Sequence, residues 1–218
     1  MAPDRAAPDS APPESPARRA VAHGPAPFGP VVLGLDLGAT QVRAAAILPT
    51  GERLGRRAVA TPRESGAEAI YRACADLLNG IVADLPDSVR RRLIAIGISS
   101  MGPVDPRRGL VVDPPNVPAL HDAPLAAEMS ARVGLPAYLE RDTNVAALAE
   151  HSFGAARDCS NFLYITVSSG LGGAIFHDGR LFLGPDGTAG ELGHVALIPS
   201  AGPLCGCGGV GHLEGIAS

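Results

Sequence analysis

Runs and alternations of apolar residues divide the chain into short strands and amphipathic helices. Val31 to Leu37 is an almost continuous apolar run, which predicts a buried strand. Val42 to Leu48 and Arg53 to Ala60 follow across short turns, which predicts the returning strand of a hairpin and then a third strand. From Ser65 to Ala83 the apolar residues recur at helical spacing, so a helix is predicted there.

The same pattern continues as an alternation of strands and helices. The Pro- and Gly-rich stretch from Gly102 to Pro118 is predicted to be loop. The other predicted elements are strands at Leu93 to Ile98, Ala137 to Glu140 and Asn161 to Val167, helices at Pro124 to Val133 and from Asp142 to about Phe153, and a hairpin of Ala174 to Phe176 with Arg180 to Leu183. The order β-β-β-α-β-α-β-α-β-β-β predicts an α/β fold with a mixed sheet.

Composition and charge narrow the class of protein. Residues Met1 to Pro30 are rich in Pro and Ala without apolar periodicity, which predicts a disordered tail. The formal net charge of −4 argues against a nucleic-acid or membrane-surface partner, because both favour a basic patch. No apolar run approaches the roughly 20 residues that cross a bilayer, and the N-terminus lacks the apolar centre of a signal peptide. We therefore expect a cytoplasmic protein.

The four cysteines fall into two groups. Cys74 lies in a helical pattern and Cys159 near the start of a strand, and both are predicted to be small buried hydrophobic residues. Cys205 and Cys207 are too close together for an ordinary disulfide, and such a pair more often binds a metal in a reducing compartment.

Two histidines complete a candidate metal site around this pair. His194 precedes it and His212 follows it, so two thiolates and two imidazoles can close a tetrahedral zinc site. Four protein ligands leave no open position, which favours a structural ion. Free thiols in a Gly-rich loop and redox chemistry of the pair are the alternatives. A bound ion would also orient the two carboxylates on this segment, Glu191 and Glu214.

Two glycine-containing turns follow buried strands and are candidate phosphate sites. In Asp36-Leu37-Gly38-Ala39-Thr40, backbone N–H groups and the Thr40 hydroxyl can donate to phosphate, and Asp36 can hold Mg²⁺ through water. D-x-G-x-T also occurs in ordinary hairpins. The stretch from Thr166 to Gly173 likewise carries small and hydroxyl-bearing residues after a buried strand. Two such stretches suggest a duplicated fold with phosphate held between its halves. Neither a P-loop nor a Rossmann fingerprint is present.

Asp142 stands at the predicted start of a helix. Asp is a preferred N-cap residue, so this position needs no function. A carboxylate at the mouth between two lobes would also suit a general base that takes a proton from a substrate hydroxyl.

Together these motifs resemble the ROK family of sugar kinases and sugar-responsive repressors, over Val31 to Ser218. The resemblance rests on the two phosphate loops, on Gly97 to Asp105 with Pro114-Pro115-Asn116, on Asp142, and on Glu191-x-x-His194 with Cys205-x-Cys207-Gly208-x-x-Gly211-His212-x-Glu214. It implies the actin-like (ribonuclease H-like) ATPase fold. In that fold 31–140 would be an N-terminal lobe, and 141–218 the start of a C-terminal lobe with the zinc motif.

The resemblance also implies roles for individual residues. Asp142 would accept the proton of a sugar 6-hydroxyl as it attacks the γ-phosphate of ATP. The residues that would contact the sugar are Gly102, Asn116, Arg141, Asp142, Glu191, His194 and Glu214. Those that would hold ATP and its Mg²⁺ are Asp36, Gly38, Thr40, Ser169, Gly170 and Gly172. Structural Zn²⁺ would be bound by His194, Cys205, Cys207 and His212.

The sequence departs from the family pattern at four positions. His212 stands where a third zinc Cys is most common, and imidazole is an equally good ligand. Arg141 stands where sugar kinases usually carry an Asn that touches the sugar, so the identity of the sugar is open. Ala39 and Ser168 each replace a loop Gly, which is a milder change.

The resemblance predicts an ATP-dependent kinase for a hexose or N-acetylhexosamine, glucokinase-like. A sugar-sensing ROK transcriptional regulator and a non-catalytic sugar-binding fragment are the alternatives. Family members continue well beyond the position of Ser218, so we expect the isolated chain to be poorly active or poorly soluble. Family members commonly pair, which makes a homodimer possible.

Overall fold

The computed structural model describes residues 29–168, 170–185 and 187–218. Its strands are β1 (Val31–Leu37), β2 (Gln41–Ile47), β3 (Arg53–Ala60), β4 (Leu93–Ser100), β5 (Val104–Asp105), β6 (Leu110–Val111), β7 (Ala137–Arg141), β8 (Phe162–Val167), β9 (Leu171–His177) and β10 (Arg180–Leu181). Its α-helices are α1 (Ala67–Asp84), α2 (Asp87–Arg90), α3 (Leu125–Val133), α4 (Asp142–Phe153) and α5 (Leu213–Ala217). Short 3₁₀ helices span Arg63–Ser65, Pro118–Leu120 and Leu192–His194.

Two sheets carry the architecture. The first has the strand order β3-β2-β1-β4-β7, in which β1 and β2 are antiparallel while β1, β4 and β7 run parallel. The second is the antiparallel sheet β10-β9-β8, and β5 pairs with β6 as a small hairpin. Because the carboxyl ends of β1, β4 and β7 meet at one edge, residues that follow these strands are brought together.

The core lies between the first sheet and the helices α1 and α3. Alternate residues of β1 are buried, and the side chains of Leu33 and Leu35 are at most 2% exposed. α1 packs its apolar stripe, which includes Ile70 and Cys74, against this face. The prediction for Cys74 is therefore confirmed, and burial raises the pKa of its thiol to about 12. Each buried aliphatic side chain of this kind contributes about 2 kcal/mol.

The second sheet leaves one face of β8 open among the described residues. Side chains alternate along a strand, and the outward ones on β8 are large and apolar. Leu163, Ile165 and Val167 are each more than half exposed.

Several predictions about local structure were wrong. Two short strands interrupt the segment predicted to be loop, because β5 and β6 pair around a turn at Gly109 with φ of +67°. Cys159 is exposed, since it lies in the irregular connection between α4 and β8 and not in the strand itself. Asp142 is the first residue of α4, and Arg141 occupies the N-cap position.

The second candidate phosphate loop is shorter than predicted. Gly172 and Gly173 belong to β9, so the connection between β8 and β9 is only 168–170. The hairpin strand predicted from Arg180 to Leu183 ends at Leu181. Most of the predicted disordered tail, 1–28, lies outside the described residues, as does Ser169. None of the helices in the described part of the chain is long and apolar enough to span a membrane.

Candidate functional site

Asp36 lies near the carboxyl end of β1, and strand register supplies its two neighbours. Ser99 is opposite Asp36 on β4, and its hydroxyl donates to Asp36 Oδ1 at 3.3 Å. Arg43 is opposite on β2, and its guanidinium forms an ion pair with Oδ2 at 3.3 Å. The Asp36 side chain remains 45% exposed, so its carboxylate is open to a ligand. Neither neighbour was predicted, although the parallel pairing of β1 with β4 would have indicated Ser99.

The turn after β1 is fixed by Thr61 at the end of β3. The Thr61 hydroxyl donates to the Gly38 carbonyl at 2.7 Å, and its backbone N–H donates to the Thr40 carbonyl at 3.0 Å. A Cβ at Gly38 would lie 3.1 Å from the Gln41 carbonyl oxygen, which explains the small residue there. Thr61 is buried and was missed, because nothing local in the sequence links it to this turn.

Asp142 sits where β7 passes directly into α4. Its Oδ1 accepts a 2.7 Å hydrogen bond from the Thr143 backbone N–H. Asp142 is exposed as a residue, yet the surrounding protein raises the pKa of its carboxyl by partial desolvation. The Thr143 N–H and the Arg141 charge oppose this rise, while the negative charge of Asp36 adds to it. The two acidic residues therefore share one edge of the sheet.

The second candidate phosphate loop lies against the start of α4. A Cβ at Gly172 would be 2.7 Å from Thr143 Cγ2, so this glycine allows β9 to approach the helix closely. Gly170 is in contact with Glu214, since a Cβ there would lie 2.9 Å from Oε2. The turn closes with a 2.9 Å hydrogen bond from the Ser168 N–H to the Gly170 carbonyl.

The Arg141 side chain is buried beside these groups, with 9% of its surface exposed. Its NH1 group forms an ion pair with Glu191 Oε1. Its NH2 group donates to Asn144 Oδ1 and to the carbonyls of Gly173 and Ala189 at 3.3, 3.2 and 3.0 Å. Burial lowers the pKa of Arg141, and nearby carboxylates oppose that shift.

The predicted sugar ligands are brought together in part. Glu191 Oε2 lies 3.8 Å from His194 Nε2. A Cβ at Gly193 would approach Glu214 Cβ to 3.4 Å, and one at Gly102 would lie 3.5 Å from Arg141 Cδ. Asn116 lies in an exposed turn, and its side chain makes no hydrogen bond to this group among the described residues.

The four predicted metal ligands form one cluster. A ligand atom of each of His194, Cys205, Cys207 and His212 lies within 4.8 Å of those of the others. Cys205 Sγ is 3.8 Å from His194 Nδ1, and Cys207 Sγ is 3.2 Å from His212 Nδ1. Tetrahedral zinc with such ligands separates neighbouring donor atoms by about 3.6 Å. The donor set therefore fits zinc in both chemistry and spacing.

Tight turns hold these ligands in place. The Cys205 N–H donates to the Gly209 carbonyl at 2.8 Å, and the Gly208 N–H donates back to the Cys205 carbonyl at 2.9 Å. Gly208 has a φ of +88°. A Cβ at Gly209 would lie 2.1 Å from the His212 ring, so only glycine leaves room for that ligand.

Comparison with known proteins settles the family. Residues 32–218 match the ROK family. The chain belongs to the ROK family. It is 35% identical over 187 residues to a glucokinase of Thermotoga maritima, covering 86% of this chain and 57% of that protein. It is 34% identical over 187 residues to an N-acetylmannosamine kinase of Shigella flexneri, covering 86% of this chain and 61% of that protein. The ROK chain described here thus spans less than two thirds of these relatives.

Solved structures of ROK proteins share its fold. The ROK hexokinase of Thermus thermophilus superposes with a TM-score of 0.73 at 39% identity, covering 86% of this chain and 60% of that one. A Streptomyces griseus glucokinase in complex with glucose and AMPPNP has a TM-score of 0.73 at 35% identity, and the match covers 84% of this chain and 56% of that one. A ROK transcriptional regulator, a homolog of the E. coli MLC protein, has a TM-score of 0.75 at 30% identity, and the match covers 88% of this chain and 48% of that one. The mixed α/β, actin-like fold predicted from the sequence is confirmed.

Proposed function

We propose that this ROK protein takes part in ATP-dependent phosphorylation of a hexose or N-acetylhexosamine at its 6-hydroxyl. The proposal rests on the observation that Asp36 and Asp142 lie at the same edge of the first sheet. Such a transfer requires a general base close to a carboxylate that can hold the Mg²⁺ ion beside the phosphates. The glucokinase and N-acetylmannosamine kinase relatives support the same class of reaction.

In this mechanism Asp142 accepts the proton of the attacking hydroxyl. Its raised pKa makes it a stronger base than an ordinary carboxylate, and its exposed side leaves room for the substrate. Gly38, Thr40, Gly170 and Gly172 are proposed to hold the phosphates of ATP, together with Ser169 outside the described residues. A magnesium ion would be held by Asp36 and would offset phosphate charge. Positioning and electrostatics provide the catalysis, because little covalent chemistry falls to the protein.

The sugar is proposed to lie between Asp142 and the metal cluster. Glu191, His194 and Glu214 would contact its hydroxyls, and Gly102, Asn116 and Arg141 are proposed to contact it as well. Zinc at the Cys2His2 cluster would be structural, since all four positions are filled by protein. Its part is to fix the backbone on either side of the two carboxylates. Three statements remain predictions from the sequence: a cytoplasmic location, a homodimer, and the division into two lobes after residue 140.

A coupled assay of ATP consumption tests the reaction. It should cover glucose, mannose, allose, N-acetylglucosamine and N-acetylmannosamine, with Asp142→Asn as the matched variant. We expect any phosphorylation to fall by at least about a hundredfold in that variant, as is typical for loss of a general base. Turnover that survives the substitution would remove Asp142 from this role.

The regulator alternative is supported by the TM-score of 0.75 with the ROK transcriptional regulator. Calorimetry with the same sugars separates the two classes, because the proposed sugar ligands all lie within this chain. Sugar binding without phosphorylation in wild type would favour a sensing or binding module. Binding accompanied by Asp142-dependent turnover would favour the kinase.

A further inference from the structure

The Glu140 carboxylate lies at the junction of β7 and α4, where one of its oxygens accepts two hydrogen bonds. Glu140 Oε1 accepts from the Arg141 backbone N–H at 2.8 Å and from Asn144 Nδ2 at 3.0 Å. Asn144 Oδ1 in turn accepts from the Arg141 NH2 group at 3.3 Å. These three hydrogen bonds form a closed cycle. Asp142 lies within the segment that the cycle spans, between Arg141 and Asn144.

The cycle takes the place of an ordinary helix cap. The first N–H groups of a helix have no partner within the helix, and a side chain at the N-cap position usually accepts from one of them. Arg141 occupies the N-cap position of α4, and its side chain makes no such bond. Glu140 instead accepts from the Arg141 N–H, and Asp142 accepts from the Thr143 N–H. A carboxylate at this end of a helix also interacts favourably with the helix dipole.

Both ends of the cycle are anchored. Asn144 is 2% exposed, and a buried amide that lost a partner would carry a cost in free energy. Its side chain is therefore held to Glu140 and Arg141. The Arg141 guanidinium is fixed from the other side by the ion pair with Glu191 and by the Gly173 and Ala189 carbonyls. The first turn of α4 is thus tied to β7 through Glu140 and to β9 through Arg141.

Strand register gives Glu140 a counterpart beside the other proposed acidic residue. Ser99 on β4 is opposite Asp36 on β1 and opposite Glu140 on β7, so the three side chains form one row on the same face of the sheet. The Ser99 hydroxyl donates to Asp36, whereas Glu140 accepts from the start of α4. Asp36 and Asp142 are therefore each supported by a neighbouring side chain of this row.

We propose that Glu140 is a positioning residue that holds Asp142 in place for phosphoryl transfer. The inference rests on the proposed kinase function. A general base must lie within hydrogen-bond reach of the attacking hydroxyl, and a small displacement of such a group lowers the rate by up to about a hundredfold. Glu140 acts here as a hydrogen-bond acceptor for Arg141 and Asn144. Its negative charge takes no part in the reaction.

Three substitutions of Glu140 separate its geometry from its charge. Glu140→Gln loses the charge but keeps an acceptor oxygen at the same reach. Glu140→Asp keeps the charge, but its side chain is one carbon shorter and cannot reach both N–H groups. Glu140→Ala removes the acceptor. We expect kcat for the sugar that wild type phosphorylates to fall about ten- to a hundredfold in the Ala and Asp variants. Glu140→Gln should retain most of the wild-type kcat.

The KM for the sugar should change less than kcat in all three variants. Arg141 keeps its bonds to Glu191 and to the Gly173 and Ala189 carbonyls when Glu140 is replaced, so the proposed sugar contacts on that side remain. A general loosening of the fold would instead affect both constants.

Glu150→Ala is the matched control, because Glu150 lies on the same helix. Its Oε2 accepts from the Ala155 N–H at 2.9 Å, just beyond the other end of α4. This variant loses a comparable hydrogen bond far from Asp142, so its kcat should stay at the wild-type value. Thermal unfolding of each variant verifies that it is folded. If Glu140→Ala does not fold, the comparison of Glu140→Asp with Glu140→Gln decides.

The possible results are distinct. If Glu140→Gln loses as much kcat as Glu140→Asp, the charge of Glu140 takes part in the reaction and the positioning role is wrong. If Glu140→Asp and Glu140→Ala keep the wild-type kcat, the inference is overturned, while turnover that depends on Asp142 leaves the proposed function standing. If wild type phosphorylates none of the sugars in the coupled assay, the proposed function fails and this inference fails with it.

Discussion

Glu214 accepts a 2.9 Å hydrogen bond from the Leu171 backbone N–H through Oε2. Its other oxygen, Oε1, accepts from the Cys205 thiol at 3.5 Å. One carboxylate thus connects the first residue of β9 with a proposed metal ligand 34 residues later in the chain. The cluster of candidate metal ligands and the second candidate phosphate loop are therefore connected by a side chain that is also a proposed sugar ligand.

Two substitutions of Glu214 distinguish its contribution to stability from its proposed contribution to sugar binding. Glu214→Ala removes the hydrogen bond from the Leu171 N–H, and in the metal-free chain also the one from the Cys205 thiol, so it should lower the free energy of unfolding by about 1–2 kcal/mol. Glu214→Gln keeps an acceptor for the Leu171 N–H, so it should be nearly as stable as wild type while binding sugar more weakly. Urea unfolding and sugar calorimetry measure the two effects. Equal destabilisation by both variants would contradict this division.

The raised pKa of Asp142 predicts a pH dependence of stability. Desolvation disfavours the charged carboxylate in the folded state, so ionisation above its pKa costs stability. Asp142→Asn should therefore be more stable than wild type near pH 7, by about 0.5 kcal/mol. The difference should shrink as the pH falls through the folded-state pKa and wild type becomes protonated. Chemical unfolding from pH 7 to pH 3 measures it, and a difference that grows towards low pH would show the opposite shift.

Loss of one thiolate should abolish metal binding. Wild type is expected to contain about one zinc ion per chain, and Cys205→Ser close to none, with a lower unfolding temperature. Cys159→Ser is the matched control, because Cys159 is exposed and distant in sequence from the cluster. Elemental analysis of the purified proteins gives the zinc content directly. Equal zinc in wild type and Cys205→Ser would remove the site.

The open apolar face of β8 predicts self-association of the purified chain. Ile165 is 55% exposed between Leu163 and Val167, which are exposed to a similar extent. An exposed strand with such side chains promotes contacts between copies. Ile165→Lys should reduce concentration-dependent light scattering without lowering the unfolding temperature by more than a few degrees. Wild type that stays monomeric up to high concentration would overturn this expectation.

Much of the first sheet could be predicted because its strands are continuous apolar runs. The predicted limits of the strand from Val31 to Leu37 and of the one from Arg53 to Ala60 are those observed. The hairpin of Val104–Asp105 with Leu110–Val111 could not be predicted, because two-residue strands have no periodicity of their own. Their existence depends on pairing across the turn, which no local pattern in the Pro- and Gly-rich stretch records.

The site shows the same limit at the level of single contacts. The grouping of the candidate metal ligands could be predicted, because Cys205, Cys207 and His212 lie within eight residues and carry donor atoms typical of zinc sites. The ion pair of Arg141 with Glu191 joins residues 50 positions apart, and either side chain alone is compatible with an exposed surface. Only the folded arrangement shows that Arg141, which departs from the family pattern, forms an ion pair with Glu191. The Glu191 carboxylate is one of the groups proposed to hold the sugar.

The direct passage of β7 into α4 has a consequence for the mobility of Asp142. Arg141 is the last residue of the strand and Asp142 the first of the helix, so no loop separates Asp142 from regular structure on either side. Asp142 cannot swing towards a substrate by rearranging a flexible segment. The position of the Asp142 carboxylate is therefore set by the end of β7 and the start of α4, and a ligand would have to fit that fixed position.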